Sequence, residues 1–138
     1  MKIMVSACLL GENCKYNGGN NYSEKVAAFI QGHEVIPVCP ECLGGLPTPR
    51  IPSEIVKGVV TNREGQIVDA EFRKGAAIAL DIALREKPDV VVLQSRSPSC
   101  GCREIYDGTF SRRKIPGQGI FAEQVMKHGF RVIDLEEL

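Results

Sequence analysis

The chain has 138 residues, enough for one domain with a large buried core that needs no disulfide or metal for its stability. Seventeen lysines and arginines balance seventeen aspartates and glutamates, so no overall charge attracts a nucleic-acid polymer or an anionic membrane. Because neither a signal peptide nor a membrane-spanning run is visible, we expect a globular protein of the cytoplasm.

The first ten residues are mostly apolar and predict a strand that ends at Gly11. The loop 11–21 that follows is rich in glycine and asparagine, which tolerate left-handed backbone and the close approach of a ligand. Such a loop at the carboxyl end of a strand predicts a pocket wall, and we assign its Tyr16 to substrate binding.

A helix and a second strand are predicted next, with Ser23 as the helix cap, Gly32 as its stop and residues 34–38 as the strand. The following stretch, 39–52, contains four prolines and predicts an ordered loop that forms neither a helix nor a central strand. Residues 57–68 predict a small hairpin.

The second half of the chain begins with the clearest helix, predicted over 69–87 from its apolar spacing. It leads into the apolar run 90–93, which is typical of a strand buried on both faces, and the two predict a right-handed crossover. Further along, Asp107-Gly108 predicts a turn, Gly117 opens a last helix, and residues 130–135 predict a fourth strand.

These elements predict a single α/β domain over residues 1–138. Its sheet is short and mostly parallel, in Rossmann-like or flavodoxin-like layering, with helices on both faces and a small hairpin. Three of its strands run directly into a cysteine, at Cys8, Cys39 and Cys100. Since the carboxyl ends of parallel strands share one edge of the sheet, we expect these three thiols to converge there.

Six cysteines without an export signal favour metal binding or catalysis, although any one of them alone is most often inert and buried. Cys39 and Cys42 have the CxxC spacing of a zinc site or a thioredoxin-like motif. A zinc site lacks a second pair, and the prolines and glycines after Cys42 argue against the helix that a redox motif opens. An iron–sulfur cluster takes thiolates from dispersed loops, and three ligands leave one iron open as a Lewis acid.

Two charged residues share the proline-rich loop with Cys39. If this loop lines the thiol site, Glu41 becomes a candidate for acid/base work and Arg50 for anchoring the substrate. If it does not, the two are a solvated carboxylate and a surface salt bridge.

Seven motifs follow one another along nearly the whole chain: SACLLG (6–11), CKYNG (14–18), VCPE (38–41), GGLP (44–47), PR (49–50), SPSCG (97–101) and IYDGTF (105–110). Together they resemble the small bacterial domain-of-unknown-function family that includes the thiouracil desulfidases. Motifs of this length and order are far more specific than a CxxC pair.

The resemblance implies an α/β fold and a 4Fe-4S cluster held by Cys8, Cys39 and Cys100. Its free iron would take the sulfur of a thiolated nucleobase in a non-redox desulfuration. The resemblance also implies Glu41 as the acid/base group and Ser97 as a polar group on the substrate side.

We therefore expect an iron–sulfur-dependent desulfidase that cleaves a C–S bond by hydrolysis in a small thiolated base, with Tyr16, Arg50 and Ser99 assigned to substrate binding. The alternative is a non-catalytic module that uses the same cysteines to bind a metal or a small ligand. The exact substrate and the oligomeric state leave no trace in the sequence.

Overall fold

The structure is a computed structural model that describes all residues, 1–138. Two short 3-10 turns, Ala7–Leu10 and Leu135–Glu137, accompany eight strands and four helices. The strands are β1 (Lys2–Ser6), β2 (Glu34–Val38), β3 (Ser53–Val56), β4 (Val59–Asn62), β5 (Val90–Leu93), β6 (Glu104–Tyr106), β7 (Lys114–Pro116) and β8 (Val132–Asp134). The helices are α1 (Glu24–Ile30), α2 (Pro40–Leu43), α3 (Asp69–Glu86) and α4 (Ile120–Lys127).

The centre of the fold is a four-stranded sheet in the order β2-β1-β5-β8, in which every neighbouring pair is parallel. All four residues of β5 are buried, as its apolar run predicts. The chain passes from β2 over β1 to β5, so the topological switch point lies between the carboxyl ends of β1 and β5. The predicted α/β domain with a parallel sheet is confirmed.

Helices cover both faces of this sheet. On one face α3 and α4 bury a cluster that includes Met4, Ala79 and Phe121, and on the other face α1 buries Val26 against the sheet. The predicted cap of α1 is confirmed, because the Ser23 side chain accepts the backbone N–H of Val26 at 3.3 Å. None of the helices combines the length and the apolar character needed to cross a membrane.

The first strand is shorter than the predicted residues 1–10. It ends at Ser6, and the chain turns into the 3-10 turn Ala7–Leu10 that carries Cys8. The reason is that Ser6 is the last residue with a strand partner, because β2 ends at Val38 beside it. Gly11 closes the turn with φ at 93°, a conformation that favours glycine.

The prediction that residues 39–52 contain no helix is wrong at their start. Cys39 is the N-cap of α2, and Pro40 occupies the first helical turn, where the N–H that proline lacks has no intrahelical partner to lose. The CxxC motif therefore does open a helical turn, contrary to the argument from its prolines and glycines.

The hairpin predicted over 57–68 lies further upstream than expected. β3 and β4 pair antiparallel around Lys57 and Gly58, which both have positive φ, and Ile67 contributes only an isolated bridge to Thr61. A second hairpin, β6 with β7, forms around the predicted Asp107-Gly108 turn. The last strand is confined to Val132–Asp134 rather than 130–135.

Two glycines let α2 pack directly on α3. A Cβ added at Gly75 would overlap the carbonyl oxygen of Pro40, and one added at Gly44 would overlap that of Glu71. This backbone contact fixes the helical turn that follows Cys39. It depends on the absence of a side chain at both positions.

We predict that Gly75→Ala lowers the free energy of unfolding by about 1–3 kcal/mol, because its methyl group forces α2 and α3 apart. Urea denaturation measures this loss. Ala77→Ser, at an exposed position of the same helix, is the control and should change stability by no more than about 0.5 kcal/mol. Equal stabilities of the two variants would contradict the contact.

Candidate active site

A cavity of about 490 Å³ opens at the carboxyl ends of the central strands. Every residue that the sequence assigns to the site lines it: Cys8, Tyr16, Cys39, Glu41, Arg50, Ser97, Ser99 and Cys100. The structure thus brings these residues to one place, while the role of each stays a prediction. The volume of the cavity lies within the range of small-molecule sites.

The three predicted ligands reach the cavity from three separate segments. Cys8 lies in the 3-10 turn after β1, Cys39 lies between β2 and α2, and Cys100 lies in the turn after β5. A fourth thiol, that of Cys14, lines the same cavity. This cysteine was not among the predicted site residues, although its Gly/Asn-rich loop was predicted as a pocket wall.

The turn that carries Cys100 is built by a serine. Ser97 Oγ accepts the backbone N–H groups of Ser99 at 3.1 Å and Cys100 at 3.0 Å, and the Ser97 carbonyl accepts that of Gly101. A Cβ at Gly119 would lie 2.6 Å from the Ser99 carbonyl carbon, so the start of α4 closes on this turn. The segment that carries the Cys100 thiol is therefore fixed by hydrogen bonds to the Ser97 side chain and by backbone contacts.

Burial makes these thiols hard to ionise when they are free. It raises the pKa of the Cys8 thiol to about 11 and that of Cys100 to about 12, and it also raises the pKa of the Cys39 thiol. The charges of neighbouring thiols add to the effect, that of Cys14 on Cys8 and that of Cys8 on Cys100. A bound cation would relieve this repulsion, and its binding would release protons.

The donor set fits an iron–sulfur cluster. No three side chains of His, Cys, Asp or Glu converge on a point that could hold a single metal ion. A cluster takes its thiolates on different irons, so its ligands surround a space instead of meeting at one point. Several desolvated thiols around one cavity meet that requirement.

A carboxylate lies beside the thiols, and its two oxygens have different partners. Glu41 Oε1 accepts Arg50 Nε–H at 2.9 Å, in an ion pair whose side chains are only 8% and 14% exposed. Glu41 Oε2 accepts the hydroxyl of Ser99 at 2.8 Å, and the Ser97 hydroxyl lies 2.9 Å from that of Ser99. The carboxylate is therefore held in one orientation at the cavity.

The guanidinium of Arg50 donates its hydrogen bonds to other groups of the protein. Besides Glu41, it donates to the Cys14 carbonyl oxygen at 2.9 Å, to the Pro47 carbonyl oxygen and to the hydroxyl of Thr48. These contacts favour positioning over the predicted anchoring of substrate, which stays a prediction. Arg50 ties the loop 11–21 to the segment that carries Cys39.

The two remaining cysteines do not line the cavity. Cys42 Sγ lies 3.9 Å from the Cys14 carbonyl oxygen, and Cys102 is fully buried with its Sγ 4.0 Å from Asp134 Oδ2. Both thiols therefore contact other parts of the protein and do not face the cavity.

The cavity also contains residues that are not among the predicted site residues. Gln94 directly follows β5, and its Oε1 is the only buried side-chain oxygen or nitrogen without a hydrogen-bond partner. The rule that strand ends carry the site would have found Gln94. Glu54, Phe110 of the IYDGTF motif and Arg112 also line the cavity, although none of them belongs to a strand of the central sheet.

Comparisons with known proteins give three matches. The sequence profile of a family described as 2-thiouracil desulfurase matches residues 3–137. A protein of Bacillus subtilis (strain 168), described as uncharacterized protein YbbK, is 41% identical over 146 residues that cover 99% of this chain and 97% of its own. The solved structure of a 4Fe-4S-dependent thiouracil desulfidase, TudS (DUF523Vcz), is similar at a TM-score of 0.93 and 37% identity, covering 99% of this chain and 92% of its own.

We predict that Arg50→Ala destabilises the fold by about 3–5 kcal/mol, because it leaves the Glu41 carboxylate buried without its partner. Urea denaturation of the purified protein measures the loss. Arg85→Ala is the matched control, since its ion pair with Asp81 is 69% and 67% exposed and should contribute less than about 1 kcal/mol. A loss no larger than that of the control would show that the Arg50 contacts do not hold the site.

Proposed function

Since the chain belongs to the 2-thiouracil desulfurase family, we propose that it removes the sulfur of a thiolated nucleobase or nucleoside by hydrolysis, without redox chemistry. The reaction converts a thiocarbonyl group and water into a carbonyl group and hydrogen sulfide, so the oxidation level of the ring carbon does not change. The cofactor is a 4Fe-4S cluster, as in the similar thiouracil desulfidase.

One observation carries this proposal: cysteines from three distant segments line the same cavity as a fixed carboxylate. Cys8, Cys39 and Cys100 are the residues that would hold the cluster. When bound through three cysteines, such a cluster supplies a Lewis acid at its remaining iron. Burial of the thiols also supports the proposal. A buried thiol ionises at a high cost when no cation is near, and a bound cluster would stabilise the thiolate form.

Glu41 acts as the general base. One of its oxygens is engaged by Arg50 and the other accepts the hydroxyl of Ser99, so the carboxylate faces the cavity from a fixed position. There it accepts a proton from the water that attacks the thiocarbonyl carbon, and the Ser97–Ser99 hydroxyl pair keeps Oε2 in place.

The substrate is a small molecule. The cavity of about 490 Å³ accommodates a base or a nucleoside, and the balanced net charge gives no overall attraction to a nucleic-acid polymer. Tyr16 and Ser99, which line the cavity from two separate segments of the chain, contact the substrate. We place the enzyme in the cytoplasm, where thiols stay reduced.

We predict that alanine at Cys8, Cys39 or Cys100 abolishes incorporation of iron and sulfide during anaerobic reconstitution. Cys14→Ala is the sharpest control, because Cys14 lines the same cavity but is not a proposed ligand. Iron and acid-labile sulfide analyses and the visible absorbance of the protein measure the outcome. Cluster loss in Cys14→Ala, or stoichiometric zinc without sulfide in the native chain, would contradict the ligand set.

We predict that Glu41→Gln keeps its cluster but loses about 10²- to 10⁴-fold in kcat, the contribution typical of a general base. Glutamine retains the shape of the side chain and one of its two acceptor oxygens while removing the base. Ser97→Ala should have a milder effect. Full activity of Glu41→Gln with an intact cluster would exclude Glu41 as the base.

A further inference from the structure

The loop 107–113, between β6 and β7, forms part of the cavity wall. Phe110 and Arg112 both line the cavity, and the Phe110 side chain is half-buried there. The loop belongs to the small hairpin and not to the central sheet. Its position over the cavity therefore needs a contact with another part of the chain.

The backbone of this loop has an uncommon conformation. Phe110 has φ at 57° and Arg112 has φ at 64°, in the left-handed region that residues other than glycine rarely adopt. Asp107 braces the loop from within, since its Oδ1 accepts the backbone N–H and the hydroxyl of Thr109. Such a conformation persists only where the surrounding structure holds it.

The contact that holds the loop comes from β3. A single oxygen of Glu54, Oε1, accepts the backbone N–H of Gly108 at 3.0 Å and that of Phe110 at 3.1 Å. Gly108 lies so close to β3 that a Cβ there would be 2.6 Å from the Ile55 carbonyl oxygen. Hydrogen bonds to a carboxylate are stronger than those between neutral groups. Glu54 therefore fixes the backbone of the loop at both Gly108 and Phe110.

We propose that Glu54 is a positioning residue that holds the loop 107–113 against β3, and that Phe110 on this loop is the specificity-determining residue that contacts the flat face of the thiolated ring. The second part rests on the proposed function. An aromatic side chain on a cavity wall offers a planar apolar surface, which matches a planar heterocycle. Glu54 itself does not contact the reacting atoms in this account.

The chain offers matched variants for the test. Glu54→Ala removes the acceptor, whereas Glu54→Gln keeps an amide oxygen that can accept both N–H groups. Glu64→Ala is the control, because Glu64 is exposed in the same hairpin region and its side chain makes no hydrogen bond. Phe110→Ala removes the ring without removing the loop contact. All variants are prepared with the cluster and compared by iron and sulfide content.

Hydrogen exchange of the Gly108 and Phe110 amides tests the positioning role without any use of activity. We expect both amides to exchange at least about tenfold faster in Glu54→Ala than in the native protein. Their exchange rates should not change in Glu54→Gln or Glu64→Ala. Unchanged exchange in Glu54→Ala, or equal acceleration in Glu54→Gln, would overturn the positioning role.

Steady-state kinetics with 2-thiouracil tests the specificity role. We expect KM to rise about tenfold in Glu54→Ala and in Phe110→Ala, with kcat within about twofold of the native enzyme, because both changes remove ring binding and leave the reacting groups in place. A fall in kcat at unchanged KM would overturn it. A native enzyme that converts neither 2-thiouracil nor 2-thiouridine would refute the proposed function and the role of Phe110, while hydrogen exchange would still test the role of Glu54.

Discussion

The crowding of thiols and a carboxylate in one desolvated cavity is the constraint on which the rest of the structure depends. Burial and the neighbouring negative groups both raise the thiol pKa values, so Cys8, Cys39 and Cys100 resist ionisation while the site is free of cations. The single buried cation at the site, Arg50, is committed to Glu41 and to backbone oxygens. The proposed iron–sulfur cluster would supply the positive charge that such a cavity lacks, which is why we regard the free thiols as a binding site and not as inert core.

The framework around the cavity divides into a rigid part and a part that depends on few contacts. The parallel strands and the Gly44–Gly75 approach of α2 to α3 position the thiol-bearing segments through backbone contacts. The turn that carries Cys100 depends in addition on the Ser97 side chain, whose Oγ accepts two backbone N–H groups. Another part of the cavity wall is the loop 107–113, which is held to β3 by the carboxylate of Glu54. This division suits an enzyme in which the reacting groups are fixed and the wall facing the substrate can vary.

Much of this arrangement follows from the sequence because it obeys rules that act over short distances or apply to a whole fold class. The apolar run 90–93 predicts a doubly covered strand, and the convergence of Cys8, Cys39 and Cys100 on one cavity follows from parallel strands alone. The helical turn after Cys39 does not follow from the proline content of its segment, because proline ends a helix in its interior but favours its first turn, where Pro40 stands. The contact of Glu54 with Gly108 and Phe110 joins residues more than fifty positions apart and has no local pattern, so only the structure reveals it.

The central claim is that the cavity converts a thiolated base by hydrolysis instead of only binding it. The most direct test is to incubate the anaerobically prepared, cluster-loaded protein with 2-thiouracil in the absence of any reductant, and to measure uracil and sulfide over time. We predict that the two products appear in equal amounts over many turnovers. Bound 2-thiouracil that stays unconverted, or conversion that begins only when electrons are supplied, would contradict it.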